Sequence, residues 1–321
     1  MDLIYADETR KDIGEILDSD FDLAFGTDEN DFQCQINKEE HCCSHDYYLY
    51  LEGTEYGGII DEIGVDTDTG TVTYKGRTWH GILAGKVLCP DAGQDYLVLS
   101  GEANTVLGAL ITRIGLSDLF KASTEDSGIT IQNYSMNRHI NAYLGIRKML
   151  AAFYGKLKLV HTGEKVQLSA VPLVDYSQDE EWDSSQMGFN ASKNKNPINH
   201  MICLGKGELA ARQVLHLYMG ASGNISNTQT FTGVKEVSAV YDNANAESLE
   251  ELEKGGREKL EEAFKAAEKL KTSFDGTQEY DIGDIVGARE EVTGIFVSRP
   301  IVKKIVKINR NGIDIEYKVG E

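Results

Sequence analysis

The residues most suggestive of chemistry are the ligand-type side chains of "EEHCCSHDY" at 39–47. Zinc prefers about four nitrogen or sulfur ligands, usually supplied as short chelating pairs. If the segment is an extended strand, His41, Cys43 and His45 share one face. Alternate strand residues stand about 6.6 Å apart, so three in a row do not converge on one ion. A fourth ligand would have to be Cys34 or come from elsewhere. We therefore expect a strand approach with reduced thiols and no bound metal.

A second stretch, "LGKGELA" at 204–210, matches the dinucleotide fingerprint G-x-G-x-x-A. That motif also needs an acidic residue about twenty positions on, which holds the ribose hydroxyl, and a surrounding βαβ rhythm. No Asp or Glu stands between Glu208 and Glu236. The segment that follows is rich enough in β-branched and aromatic residues to be a strand. The sequence therefore predicts a turn that joins two strands, without a nucleotide site.

Other catalytic patterns are equally incomplete. "GASG" at 220–223 misses the nucleophile elbow G-x-S-x-G by one position, and no HExxH occurs. Three histidines lie in strand-like runs and are expected to be packed or hydrogen-bonded: His80, His200 and His216. The carboxylates of "DEEWD" at 179–183 lie in a polar loop. We predict no catalytic, cofactor-binding or metal-binding residue, and no enzyme.

The elements that must position these residues begin with strands. Three segments between residues 47 and 76 are apolar or alternate in period two, with a turn-rich cluster at 66–70. "RTWHGILAGKVL" at 77–88 is expected to continue the pattern. These segments predict successive hairpins of an antiparallel sheet, in a barrel or a sandwich.

Two segments then change to helical periodicity, "NTVLGALITRIGLSDLF" at 104–120 and "RHINAYLGIRKMLAAFYG" at 138–155. They predict a small helical module inserted between two β-rich regions. A third helix is predicted at 248–274, where Ser248 and Glu251 have capping-box spacing. Its apolar stripe is narrow, which indicates a surface helix, and the pair Gly255-Gly256 is expected to bend or break it.

The C-terminal segment predicts a hairpin. "IVKKIVKI" at 301–308 is joined to "IDIEYKV" at 313–319 by "NRNG". Apolar residues alternate strictly with polar ones in the second strand, and the pair Asn311-Gly312 tolerates a tight turn.

Composition narrows the classes of function. The net charge is −20, and residues 1–70 carry twenty acidic residues against three basic ones. Such a surface repels phosphate, so sequence-specific nucleic-acid binding is disfavoured. No apolar run approaches the length of a membrane span and the N-terminus has no leader pattern, so we expect synthesis in a cytoplasm and no membrane partner. The five cysteines are expected to be reduced thiols.

Several stretches together resemble the tail proteins of siphoviruses and related prophages, which are kin to the baseplate-hub (tail-tip) proteins of phage tails. The block "DIGD…G…TGI" ahead of the final hairpin is the most specific part of this resemblance. The matching segments, in an order and spacing that cover almost the whole chain, are 49–63, 72–83, 96–111, 199–218 and 280–297.

The resemblance implies an α+β fold dominated by β-structure, with two small antiparallel β-barrels of tail-tube type, a helical insertion and a long surface helix. The domains expected from it are an acidic N-terminal barrel at 1–100 and a helical insertion at 101–157. A second barrel domain follows at 158–321, which contains the helix at 248–272 and the terminal hairpin. The resemblance brings no catalytic motif, so no site residue is transferred.

The function implied is that of a structural virion protein. Such a subunit forms a homo-oligomeric ring, with three copies expected, that continues the tail tube and links it to the tip. Its partners would be the tail-tube, distal-tail, tape-measure and tip or fibre proteins, and the assembled product would lie in the virion tail. The alternatives are a peptidoglycan hydrolase with acids from 179–183 or the N-terminal region, and a carbohydrate-binding module that uses a row of Tyr47, Tyr48 and Tyr50.

Overall fold

The computed structural model describes most of the chain, namely residues 3–177, 182–183, 189–194, 196–220, 222–266, 268–272, 279–289 and 292–320. The protein is dominated by β-structure, with 44% strand and 19% helix. This confirms the predicted β-dominated α+β class. None of the sheets in these ranges closes on itself, so the predicted barrels remain unconfirmed.

The strands of the described residues are β1 Leu3–Ala6, β2 Asp12–Ile16, β3 Asp20–Gly26, β4 Asp31–Asn37, β5 Tyr48–Tyr50, β6 Gly57–Asp66, β7 Thr71–Thr78, β8 Val87–Leu88, β9 Leu97–Glu102, β10 Phe120–Ala122, β11 Thr130–Met136, β12 Ile140–Asn141, β13 Gly155–Thr162, β14 Lys165–Pro172, β15 Trp182–Asp183, β16 Phe189–Lys193, β17 His200–Leu204, β18 Val214–Met219, β19 Ile225–Ser226, β20 Ser238–Asp242, β21 Glu268–Thr272, β22 Ile285–Arg289, β23 Phe296–Asn309 and β24 Gly312–Val319. The α-helices are α1 Trp79–Ala84, α2 Ala103–Arg113, α3 Ala142–Ala151 and α4 Leu249–Lys265. Single 3₁₀ turns lie at Lys38–Glu40, Leu209–Ala211 and Gly233–Lys235.

The chain forms two compact units. Unit 1 contains the described residues within 1–180, 272–286 and 300–320, and unit 2 contains those within 181–271 and 287–299. The boundaries predicted at residues 100 and 157 both fall inside unit 1, and the three-part division stays a prediction.

The main sheet of unit 1 is antiparallel and has the strand order β23-β3-β4-β7-β6-β5-β1-β2, with β24 beside β23. Alternation in the first half of β3 explains the two faces, since Phe21 and Leu23 are buried while Asp20 and Asp22 are exposed. The predicted terminal hairpin is confirmed, because β23 and β24 pair until Asn309 meets Gly312.

A second core of unit 1 is built from α1, α2 and α3 on the β13–β14 region. The two helices predicted between 104 and 155 are confirmed as α2 and α3, and the short strands β10, β11 and β12 lie between them. The strand predicted at 77–88 is also wrong over its centre, which is α1. The Thr78 hydroxyl accepts the Gly81 N–H there and starts the helix. Short apolar runs fit a buried helix as well as a strand.

Unit 2 contains the sheet β19-β18-β17-β20, with α4 packed on one face. The capping box is confirmed, because the Ser248 hydroxyl accepts the Glu251 N–H at 3.1 Å. The helix ends at Lys265 rather than near 272, and β21 begins at Glu268. The pair Gly255-Gly256 does not break the helix, since α4 is continuous through both.

The two glycines serve a close approach between helix and sheet instead. A Cβ on Gly256 would overlap the Sγ of Cys203 on β17, and would lie 3.0 Å from Leu217 on β18. Gly256 is buried between Leu252 and Leu260, which are the apolar contacts of the same helix face. The absence of a side chain therefore lets α4 lie directly on the sheet.

Gly256→Ala is expected to lower the free energy of unfolding by about 1–3 kcal/mol, as overpacking does in other cores. Urea unfolding measures the change. The variant Cys203→Ala removes the overlapping sulfur, so the double variant should be less destabilised than the sum of the two single variants. Additive effects would show that the helix does not rest on Cys203.

Candidate functional site

The outward face of the main sheet in unit 1 carries charged side chains from five neighbouring strands. One row of cross-strand neighbours crosses β23, β3, β4, β7 and β6, and contains two cations, two carboxylates and one amide. Its members are Lys307, Asp22, Gln33, Lys75 and Glu62. We call this row and its neighbours Asp20, Asp31, Asp61 and Arg77 the polar sheet face.

The polar sheet face forms an open depression of about 660 Å³. Arg77 makes a bidentate bond to Asp61, with N···O distances of 2.8 and 2.7 Å. Partial burial and the charge of Glu29 raise the pKa of Asp31. Five carboxylates and three cations line the depression, so Lys and Arg from β7 and β23 offset part of the negative charge predicted for residues 1–70.

The tyrosine row considered for carbohydrate binding does not form. Tyr48 and Tyr50 are both buried, and Tyr50 donates a hydrogen bond to Asp12. Their rings pack against Trp79. Glycan binding needs exposed ring faces, so this row offers no sugar platform.

A buried ion network joins Lys304 on β23 to Glu55, which lies in the connection between β5 and β6. The Nζ of Lys304 donates to Glu55 at 2.8 Å, and both residues are largely shielded from solvent. Burial opposes ionisation of Glu55, but Lys304 and then His80 outweigh it and lower the pKa of Glu55 to about 2. Coulombic attraction to Glu55 likewise overcomes burial and raises the pKa of Lys304.

His80 completes this network from α1. Its Nε2 lies 3.6 Å from Glu55, and its ring stacks on Phe25 at 4.1 Å between centroids. Burial lowers the pKa of His80, although the neighbouring Glu55 opposes that effect. The prediction that His80 is a packed residue is confirmed, although it lies on a helix and not on a strand.

A second buried cluster explains the "DIGD" block that carried the resemblance. The Nζ of Lys156 on β13 lies 2.8 Å from both carboxylate oxygens of Asp284 and 2.7 Å from Asp281. Asp284 also accepts the N–H groups of Val174 and Asp281. The acids of this block therefore hold residues 281–284 onto β13 within unit 1.

The segment 41–44 is irregular rather than extended, so the expected shared face of His41, Cys43 and His45 does not exist. The backbone instead wraps around one phenol. The Tyr74 oxygen accepts the N–H groups of Cys42 and Cys43 at 3.1 and 3.2 Å, and lies 2.8 Å from the Nδ1 of His41. The adjacent thiols are brought together as a result.

The Sγ atoms of Cys42 and Cys43 are 3.7 Å apart, with Cys42 exposed and Cys43 buried. A hydrogen bond from Cys43 lowers the pKa of Cys42, while that same bond and burial raise the pKa of Cys43. Burial raises the pKa of Cys34 to about 12, so it is an inert core thiol. Among the described residues, no group of three or more His, Cys, Asp or Glu is arranged to hold a metal.

Two histidines of unit 2, on β17 and β18, form a chain of hydrogen-bonded side chains with Glu236. The Nδ1 of His200 lies 2.7 Å from Glu236, and its Nε2 lies 2.8 Å from the Nδ1 of His216. Tyr218 stacks on the His200 ring at 4.4 Å. Both histidines are hydrogen-bonded, as predicted.

Sequence reasoning missed the contacts that join distant residues. Cys89 lies 3.4 Å from the Nδ1 of His139, fifty positions along the chain. Lys156 meets its acids across 128 positions. No local pattern marks either contact, since both depend on how separate elements pack.

The remaining candidate stretches carry no site geometry. Residues 204–210 contain the predicted turn, since β17 and β18 are antiparallel on either side of it. Most of "DEEWD" at 179–183 lies outside the described residues, as does position 221 of "GASG". In the part of the chain that the structure covers, no helix is both long and apolar enough to cross a membrane.

Comparison with known proteins supplies the class of fold. No family model matches the chain, and no curated protein matches it either. Solved structures do match. The 43 kDa tail protein of prophage MuSo2 from Shewanella oneidensis has a TM-score of 0.58 at 10% identity, over 100% of this chain and 98% of that chain.

Two further tail proteins agree. The prophage tail protein gp18 from Listeria monocytogenes EGD-e has a TM-score of 0.53 at 13% identity, over 99% of this chain and 94% of that chain. The tail protein from Neisseria meningitidis MC58 has a TM-score of 0.52 at 11% identity, over 96% of this chain and 94% of that chain. The chain therefore has the fold of prophage tail proteins, and the resemblance found in its sequence is confirmed at the level of fold.

Proposed function

We propose that the protein is a structural subunit of a phage tail, a hub or baseplate component without a catalytic role. The observation that carries the proposal is the match to prophage tail proteins over nearly the full length of both chains. The subunit associates into a ring, with three copies expected, that continues the tail tube and links it to the tip. Its partners are the tail-tube, distal-tail, tape-measure and tip or fibre proteins.

The edges of the main sheet support self-association. In the described residues, β2 ends the sheet on one side, and β24 pairs with β23 alone. Unpaired backbone groups of such edges can continue a sheet into a neighbouring subunit. A head-to-tail contact of this kind generates a ring when its rotation closes.

The polar sheet face supports a position beside DNA. Its carboxylates are interspersed with Lys and Arg, so it offers no uniform positive field to bind phosphate. A lumen through which DNA slides benefits from such a lining. We propose that this face lines the ring, and that the product is made in a bacterial cytoplasm and ends in the virion tail.

Light scattering and electron microscopy of the full chain over a range of concentrations test the ring. We expect closed particles of three 35.5 kDa subunits with the polar sheet face inside. Ile13→Lys, which adds a charge to the β2 edge, should weaken assembly at least tenfold. Val98→Lys is the matched control, because Val98 is also an exposed apolar strand residue but lies on β9.

A chain that stays monomeric at every concentration, alone and with its neighbouring tail proteins, would contradict the proposal. Rings with the polar sheet face on their outer surface would contradict only its position beside DNA. Peptidoglycan turnover by the purified chain would favour the hydrolase instead.

A further inference from the structure

The proposed assembly does not draw on the paired thiols of Cys42 and Cys43. They lie on one side of the Tyr74 hydroxyl, which binds both of their backbone N–H groups. This fixes the loop between the 3₁₀ turn at Lys38–Glu40 and strand β5. The Cys42 side chain is exposed and the Cys43 side chain is buried beside it, so the pair faces solvent through Cys42.

The distance between the sulfurs discriminates between two kinds of chemistry. Two thiolates bound at 2.3 Å to one tetrahedral zinc lie about 3.8 Å apart, which is close to the 3.7 Å between Cys42 and Cys43. A disulfide requires about 2.05 Å between the sulfurs, with Cα atoms at least about 4.4 Å apart. Neighbouring residues have Cα atoms only about 3.8 Å apart. The present geometry therefore fits chelation without rearrangement and disfavours a disulfide.

We propose that Cys42 and Cys43 form a bidentate thiolate site for one thiophilic divalent cation of the zinc and cadmium class. Soft sulfur ligands select this class over magnesium or calcium. Binding replaces two S–H bonds by two sulfur–metal bonds and releases two protons, and water completes the coordination. This two-sulfur arrangement differs from the site of alternate residues that the sequence suggested, because adjacent rather than alternate side chains converge.

Cadmium titration of the reduced full chain, purified without a histidine tag, tests the site. Sulfur-to-cadmium charge transfer produces ultraviolet absorption, which should saturate at one equivalent. Cys42→Ser should weaken the binding at least tenfold without affecting the fold, because Cys42 is exposed. Zinc should displace the cadmium, and magnesium should not.

Cys89→Ser is the matched control, because Cys89 is also an exposed thiol but lies elsewhere in unit 1. It should leave the titration unchanged. If circular dichroism shows that the Cys43→Ser variant folds, the same cadmium titration of that variant gives a second measurement. The proposal would be overturned if the wild-type chain and Cys42→Ser showed equal sulfur-to-cadmium absorption. It would also be overturned if a Cys42–Cys43 disulfide were still present after reduction and desalting.

Discussion

Lys304→Met is expected to lower the free energy of unfolding by about 3–5 kcal/mol, the usual effect of removing one partner of a buried ion pair. The substitution leaves the Glu55 carboxylate without its ammonium partner in a site that water barely reaches. Urea unfolding at neutral pH measures the loss. Glu55→Gln should cost less, because the rings of Tyr56 and Tyr317 still face the Lys304 ammonium at 5.3 and 5.7 Å.

Lys307→Met is the matched control, because Lys307 lies on the same strand but is exposed. It should change stability by less than about 0.5 kcal/mol. The double variant Lys304→Met with Glu55→Gln should lose less free energy of unfolding than the two single variants lose in total. Full additivity would show that the two side chains do not interact.

The same network makes stability sensitive to acid. The pKa of Glu55 falls from an ordinary value of 4.5 to about 2 on folding, so its contribution is present above pH 4.5 and is lost as pH falls towards 2. The lowered pKa of His80 acts in the same direction below pH 6.5, because the unfolded chain binds that proton more tightly. Wild-type stability should therefore decline on acidification more steeply than that of Glu55→Gln.

Lys156→Met is expected to have a comparable effect of about 3–5 kcal/mol, since it leaves the buried Asp284 carboxylate and its neighbour Asp281 without a cation. Residues 279–286 should also lose protection, because the lysine holds them on β13. Hydrogen exchange measured by mass spectrometry, together with urea unfolding, detects both changes.

Lys158→Met is the matched control, because Lys158 lies two positions along β13 and is exposed. It should leave both measurements nearly unchanged. The pKa of Lys156 is raised by its two acids against the effect of burial. Its contribution is therefore complete below pH 10.5 and is lost only as pH rises beyond that value. Unchanged exchange in Lys156→Met would show that another contact holds the segment.

Local patterns predicted several elements correctly. The capping residue Ser248 begins α4, and the alternation of 313–319 predicts β24. Both depend on residues a few positions apart, so the sequence carries the necessary information. The prediction for 77–88 was wrong because apolar run lengths alone do not distinguish a buried helix from a strand.

The candidate sites depended much less on local pattern. The stretch "EEHCCSHDY" contains ligand-type residues that the sequence alone reveals. The pairing of Cys42 with Cys43, however, depends on Tyr74, about thirty positions away. The "DIGD" block was recognisable as a motif, but nothing in it indicates that its two acidic residues pair with Lys156. Similarly, no local sequence pattern around Glu55 indicates that its carboxylate forms an ion pair with Lys304.

The sequence by itself determined the β-dominated class, the main helices, the terminal hairpin, the acidic N-terminal region and the resemblance to phage tail proteins. These follow from composition, periodicity and short-range capping. The tertiary structure alone decided which ionisable groups are buried together and which thiols converge. Glu55 and Lys304 are 249 positions apart, so their pairing arises only when β23 is placed beside β3 in the folded sheet.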